Sequence, residues 1–271
     1  MKQQALMSDF VYQVFSLVIA LIIVHAYYVA VVRPNSEAIM TEWAVMQEQD
    51  SEYVQEPSFY VIVKDYEQES EIIIMFWALA IIGLKLKRNI TESNLLERRL
   101  LNLSDGMSIL PQDARDHARA LQALSPQERN FLLPRALLAG LHRFAATRNI
   151  QDVSSTIKDV CATEADRLES ELSIVRYVAW AIPAIGFIGT VRGIGQALAQ
   201  AHKAVSGDIM GVTANLGVAF NSTFVALVAS MLVMFLLYQL QLMQDRLVLD
   251  TQTYCDNYLI SHMQMQERND S

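Results

Sequence analysis

The apolar residues of this chain are gathered into long runs that are separated by segments rich in charge. Residues 10–32 contain no charged side chain, and neither does the interval between Asp208 and Asp245. A helix needs about 20 predominantly apolar residues to cross the hydrocarbon core of a bilayer, so both runs are long enough to span it. A soluble domain would interrupt such runs with polar faces. The pattern therefore predicts an integral membrane protein.

Two further spans are less regular. Residues 177–201 are broken only by Arg192, and residues 72–88 have a short apolar part that flanking lysine side chains can extend toward the headgroups. Taken alone, the segment 72–88 would also suit a re-entrant or interfacial helix. The first run exceeds the apolar part of a signal peptide and no clear cleavage site follows it, so a retained anchor is expected.

Lysine and arginine are distributed unevenly between the segments that link these spans. The interval from Lys85 to Arg176 holds 14 of the 21 basic residues, whereas residues 34–71 contain only Lys64 against ten acidic residues. Because short basic segments stay on the cytoplasmic side, the first interval is predicted to be cytoplasmic and the second external. Four spans then place both termini in the cytoplasm, whereas omitting the short span would put the basic segment outside.

These assignments predict an all-α fold, a four-span transmembrane helical protein whose long helices extend into a cytoplasmic helical bundle. No Gly or Pro interrupts residues 151–182, so one helix is expected to run from the cytoplasm into the third span. The predicted division is an N-terminal transmembrane helix (1–33), an external acidic loop (34–71), a second transmembrane helix (72–88), a cytoplasmic helical region (89–173), a pair of transmembrane helices (174–245) and a cytoplasmic C-terminal tail (246–271).

Small side chains form one stripe on each of the last two spans. The stripes contain Ala179, Pro183, Gly186, Thr190, Gly193, Ala197 and Ala201 on the third span, and Ala219, Ser222, Thr223, Ala226, Ala229 and Ser230 on the fourth. Small residues let helices approach closely in lipid, and such packing accounts for most of these positions. The mid-span hydroxyls of Thr190 and Thr223 are compatible with two roles: they can line an ion path, or they can bond to backbone carbonyls.

The predicted spans contain no Asp or Glu, the groups expected to carry protons through a membrane. If ions cross the membrane here, a partner must supply the carboxylate. Arg192 is the only charge well inside a span, and it has two interpretations. It extends toward the external interface, or it forms an ion pair with a neighbouring subunit or partner.

Composition and motifs argue against several other classes of protein. The net charge is −8 without a concentrated basic patch, which argues against nucleic-acid binding. Cys161 and Cys255 are far apart in the sequence and are predicted to be reduced thiols. The histidines lack metal-ligand spacing, and the glycines of residues 186–195 do not form a phosphate loop. We therefore predict no enzyme activity, metal site or cofactor.

Two motifs on consecutive spans resemble the MotA/TolQ/ExbB proton-channel family. Residues 181–194, Ala-Ile-Pro-Ala-Ile-Gly-Phe-Ile-Gly-Thr-Val-Arg-Gly-Ile, are similar to the family's Pro-x-x-Gly-x-x-Gly-Thr-Val-x-Gly helix. Residues 218–227, Val-Ala-Phe-Asn-Ser-Thr-Phe-Val-Ala-Leu, resemble its second pore helix. With the preceding cytoplasmic helix, the resemblance covers roughly residues 150–245. Either motif alone would be weak, and their order on adjacent spans makes the pair specific.

The resemblance implies a homopentamer in the bacterial inner membrane, around a dimer of a single-span MotB/TolR/ExbD-like partner whose aspartate binds the proton. Residues 174–245 would then be two pore-forming helices. The ion path would be lined by Thr190, Thr223, Ser222 and Ser230, and helix packing in the pore would use Pro183, Gly186, Gly189, Gly193, Ala219 and Ala226. Arg192 stands where the family often has apolar or aromatic residues, and it is a candidate contact to another subunit or the partner. The transported ion would be a proton, with sodium as the alternative.

Departures from the family pattern limit what the resemblance implies about the task of the protein. The extra N-terminal span is typical of MotA-like members, but the acidic segment 34–71 is long for any of them. The motifs do not distinguish motility, envelope transport and defence. Two alternatives from other classes are a non-conducting membrane scaffold that kept the helical packing, and a membrane-bound enzyme.

Overall fold

The computed structural model describes residues 2–50, 53–98, 100–101 and 108–264, with side chains from residue 9 onward. The described part is helical and contains no β-strand, which confirms the all-α prediction. In chain order the helices are α1 (Lys2–Tyr27), a π-helical turn (Tyr28–Val32), α2 (Arg33–Gln49), α3 (Phe59–Ile62), α4 (Tyr66–Leu96), α5 (Ala114–Gln122), a 3₁₀ turn (Glu128–Asn130), α6 (Leu132–Thr147), α7 (Ile150–Glu171), α8 (Ser173–Ala199), α9 (Ala201–Val205), α10 (Met210–Tyr258) and a 3₁₀ turn (Ile260–His262).

Three helical stretches are long and apolar enough to cross a membrane: Asp9–Gln49, Ile150–Ala199 and Met210–His262. They contain the first, third and fourth predicted spans, so the chain is a multi-pass membrane protein. Helix α4, which contains the predicted second span 72–88, is not among them. Its apolar part is short because glutamates precede it and basic residues follow it closely. The second span therefore stays a prediction.

The segment 34–71, predicted as an external loop, contains most of α2, all of α3 and the beginning of α4. Helix α1 continues into α2 through a π-helical turn immediately before Pro34. Proline has no amide proton to donate to the preceding turn, and a π turn is one way in which a continuing helix changes its hydrogen-bond register. No helical spacing of apolar residues indicated α2 beforehand, because most of its residues are polar.

The chain divides into two compact units, one made of residues Met1–Gly83 and Ile174–Leu237, the other of Leu84–Ser173 and Tyr238–Ser271. In the second unit, α5, α6 and α7 and the end of α10 enclose an apolar core. Cys161 and Cys255 are buried there as free thiols, as expected. Burial raises the pKa of the Cys161 thiol to about 11 and also raises the pKa of Cys255.

The first unit carries the glycine and threonine motifs. Its helices α1, α8 and α10 expose large apolar side chains, such as Trp180 at 68% and Phe220 at 73% of their surface. Apolar patches of this kind are normally covered by lipid or by another subunit. Where α8 and α10 meet in the middle of the spans, the buried residues are small, including Ala179, Gly186, Ala219 and Ala226. These small residues bring the two helices together.

Candidate ion-path site

Three glycines on α8 allow α10 to approach the backbone of α8 closely. A Cβ atom built on Gly186 would overlap the Cβ of Ala226. One on Gly193 would lie 2.8 Å from the Cβ of Ala219, and one on Gly189 would lie 2.6 Å from the Cβ of Ser222. These separations are shorter than real Cβ contacts, so the glycines are required by the approach of the two helices.

The hydroxyls of Thr190 and Thr223 meet at this contact and form a hydrogen bond with each other. Thr190 Oγ1 also lies 3.1 Å from the carbonyl oxygens of Gly186 and Ala219, and Thr223 Oγ1 lies 3.5 Å from that of Gly186. Of the two roles foreseen for these hydroxyls, the bond to backbone carbonyls is observed, and the ion path stays a prediction. The cluster has two hydroxyl protons and several acceptor oxygens.

Ser222 occupies a different place from the threonines. It is fully buried between α8 and α10, and its hydroxyl has no hydrogen-bond partner among the described residues. It faces Gly189, one helical turn along α8 from Gly186. Ser222 therefore lies within the helix contact of a single subunit.

Pro183 and Ser230 are linked through a backbone carbonyl. Pro183 lies inside α8 and has no amide proton, so the carbonyl of Ala179, four residues earlier, loses its helical donor. The hydroxyl of Ser230 on α10 donates to this same carbonyl at 2.9 Å. Side chains of neighbouring helices commonly satisfy carbonyls freed by proline in membrane helices. The structure thus gives Ser230, predicted as pore-lining, a structural hydrogen bond.

Replacing Ser230 with alanine should lower the unfolding free energy by about 1 kcal/mol, because the Ala179 carbonyl would stay buried without a donor. In a Pro183→Ala background the restored amide would supply that donor, so the same replacement should cost much less. Thermal unfolding of the wild type, the two single variants and the double variant measures the coupling. Additive effects of the two substitutions would contradict the link.

Arg192 forms its ion pair inside the chain. Its Nη2 donates to Glu67 Oε2 at 2.8 Å, and its Nε lies 2.7 Å from Glu67 Oε1. Nη2 is also 3.8 Å from Asp65 Oδ1. Both acids come from the beginning of α4 and the residue before it. The structure thus adds an intramolecular ion pair to the two interpretations of Arg192, and a contact to a neighbouring subunit or the partner stays a prediction.

Two other glutamates of α4, Glu69 and Glu71, also pack against the apolar helices. Glu69 accepts from Arg33 and lies 2.6 Å from the Nδ1 of His25 in the first span. Glu71 is fully buried, with Oε1 only 3.3 Å from the Cβ position of Gly186. Both glutamates precede the predicted span 72–88, so the prediction that a partner supplies the carboxylate of the ion path is not tested by them. An unpaired arginine in an apolar helix was the signal that could have indicated a nearby acid.

Metal ligands are not grouped in this region. In the described ranges, no three His, Cys, Asp or Glu side chains lie together in a way that could hold a metal ion. The site is instead defined by hydroxyls, glycines and paired charges on apolar helices. These features are typical of multi-pass helical membrane proteins that carry ions.

Comparison with known families agrees with this class. Residues 128–253, which include α8 and nearly all of α10, match the model of the MotA/TolQ/ExbB proton channel family. The resemblance seen in the two motifs is thereby confirmed for residues 128–253. Members of this family are channel and transport proteins rather than enzymes. Nothing among curated proteins or solved structures matches the chain.

Proposed function

We propose that the protein is the channel-forming subunit of an ion-driven motor in the bacterial inner membrane, with four spans and both termini in the cytoplasm. The observation that carries this proposal is the hydroxyl pair of Thr190 and Thr223 beside the glycines of α8. The pair lies in the region that matches the proton-channel family. The bacterial membrane and the rotary mechanism follow from family membership.

In the proposed assembly, five copies surround a dimer of a single-span partner whose aspartate binds and releases the ion. The exposed apolar faces of α8 and α10 would form contacts between subunits or with lipid, including those around Phe187 and Phe220. A threonine hydroxyl can donate to an ionised carboxylate and can accept from a protonated carboxyl, so it serves both states of the aspartate. The transported ion is a proton, with sodium as the alternative, and no cofactor takes part.

The proposed motor uses several ions for each mechanical step. Moving one elementary charge across the membrane releases about 2.3 kcal/mol per 100 mV. The motor would couple successive ion transfers to rotation, so that their free energies add. Five equivalent threonine pairs around one partner dimer would provide such successive positions.

The decisive experiment is purification of the chain together with a single-span protein encoded by a neighbouring gene, followed by subunit counting. A stable complex of five copies with two partners supports the proposal. A monomer, or an oligomer whose centre admits no helix, would support the alternative of a non-conducting scaffold.

Replacing Thr223 with valine should leave assembly intact and reduce ion-driven activity about tenfold or more. Valine keeps the shape of threonine but cannot donate to a carboxylate, and a hydrogen bond to a charged group contributes about 1.5–3 kcal/mol. Proton flux into vesicles that contain the complex measures the effect. Thr213→Val is the matched control, because Thr213 is exposed near the start of α10 and bonds only to backbone carbonyls there. Unchanged flux in Thr223→Val would refute a role of this hydroxyl in the ion path.

A further inference from the structure

Glu71 is buried in an apolar helix contact, where its carboxyl group has no hydrogen-bond partner among the described residues. The residue has 0% of its surface exposed, and neither carboxyl oxygen has a hydrogen-bond partner within the part of the chain that the structure describes. An ionised carboxylate in such surroundings is very costly unless it is paired, whereas the neutral acid costs far less. Its burial against Gly186 therefore favours the form that carries a proton.

The neighbouring acids are each matched by a base, and Glu71 is not. Glu67 is bound by Arg192, and Glu69 is bound by Arg33 with His25 beside it. Asp65 lies 3.5 Å from the ammonium group of Lys64. No described cation remains within salt-bridge distance of Glu71. Among the described residues of this cluster, Glu71 is therefore the acid that has no basic partner.

The groups that face Glu71 from the surrounding helices reinforce this imbalance. On α4 itself, Glu67 carries a negative charge that opposes ionisation of Glu71. From the π-helical turn comes Tyr28, whose buried hydroxyl has no described partner. On α8, Arg192 is already held by Glu67, and on α10 Ser222 packs against Gly186 and Gly189 of the same contact. The groups around Glu71 supply hydroxyls but no free positive charge.

We propose that Glu71 is a proton-binding site within the subunit, occupied at neutral pH and located beside Gly186, whose carbonyl also contacts the threonine pair. The backbone carbonyl of Gly186 accepts hydrogen bonds from the threonine hydroxyls. Because glycine has no Cβ, the carboxyl group of Glu71 can lie against the same residue. The site deepens the proposed function, because it would give the subunit an acid of its own next to the ion path. Proton binding by Glu71 can nevertheless be measured without a partner or a motor.

Release of the proton should loosen the packing of α4 on α8 and α10. An ionised Glu71 would add an uncompensated charge next to Glu67 and to an apolar helix contact. The folded chain then binds a proton that the unfolded chain releases at neutral pH. By linkage, this contribution to stability is lost as the pH rises, which is opposite to the behaviour of a salt-bridged glutamate.

Infrared spectroscopy of the purified chain tests the proposal. The wild type should show the carbonyl stretch of a protonated carboxylic acid at neutral pH, well above the ordinary glutamate pKa of about 4.3. Glu71→Gln, which is neutral and nearly the same shape, should lack this band and should lose the alkaline decline in melting temperature. Glu37→Gln, at an exposed position of α2, is the matched control and should retain both. Equal spectra of wild type and Glu71→Gln at neutral pH would overturn the proposal.

A second measurement uses the unmodified sequence, in case Glu71→Gln does not fold. Hydrophobic carbodiimides react with protonated carboxyl groups in apolar surroundings, and peptide mapping locates the adduct. The adduct should form on Glu71 at neutral pH and decrease as the pH rises. Adducts confined to other acids would contradict a proton on Glu71. Failure of the motor proposal would change neither result, because both are obtained with the subunit alone.

Discussion

Replacing Arg192 with glutamine should lower the unfolding free energy by about 2–3 kcal/mol. Glu67 has only 12% of its side chain exposed and would lose both contacts to the guanidinium. Removing one member of a buried ion pair commonly costs about 3–5 kcal/mol, and the 35% exposure of the Arg192 side chain places this pair below that range. Thermal unfolding of the chain in detergent measures the loss.

The double variant Glu67→Gln/Arg192→Gln separates the pair from other effects of the substitution. Two neutral amides leave no uncompensated charge, so the double variant should recover most of the stability. Arg192→Lys should be intermediate, because an ammonium group cannot make the same two-point contact. Lys203→Gln, at an exposed site on α9, is the control for loss of a positive charge. Equal instability of the single and double variants would contradict the assigned pair.

Replacing Gly189 with alanine should destabilise the first unit by about 1–3 kcal/mol, the usual cost of overpacking. The added Cβ would lie 2.6 Å from the Cβ of Ser222, an atom whose position is fixed by the backbone of α10. The helices must therefore move apart, and the hydroxyl pair of Thr190 and Thr223 would separate with them. Leucine at Gly186 or Gly189 should disturb assembly as well, because the added bulk is larger.

Gly195→Ala is the matched control on the same helix. A Cβ at Gly195 meets nothing within 4 Å, so alanine there should be neutral or stabilising through its higher helix propensity. Adding Ser222→Gly to Gly189→Ala should restore part of the lost stability by removing the opposing Cβ. Melting temperatures in detergent compare Gly189→Ala, Gly195→Ala and the double variant with the wild type. Similar stabilities of Gly189→Ala and Gly195→Ala would argue against close packing at Gly189.

The helix contact that carries the site could be predicted well from local spacing. Gly186, Gly193, Ala219 and Ala226 were expected to pack because small residues recur on one helix face, and the structure places them in the α8–α10 contact. The motif around Thr190 could be recognised for the same reason. Its residues are close in sequence, so helical geometry alone determines their relative positions.

Local signals were less informative where a helix begins or ends. The sequence Ser-Pro-Gln-Glu at residues 125–128 is typical of a helix start, and Ser125 does bond to the amide and carboxylate of Glu128. The turn that it caps is only the 3₁₀ turn Glu128–Asn130, and α6 begins at Leu132. The pattern also gave no indication that residues 34–49 continue α1 as a helix, since polar composition does not exclude helix formation.

By itself, the sequence determined that this protein is helical, that it crosses the membrane more than once, and that it carries the MotA/TolQ/ExbB motifs. These properties depend on runs and spacings within single helices. Only the tertiary structure decided that Arg192 meets Glu67, that Ser230 satisfies the carbonyl freed by Pro183, and that Glu71 is buried with no base beside it among the described residues. Arg192 and Glu67 are 125 residues apart, and contacts over such distances depend on how the helices pack rather than on any local pattern.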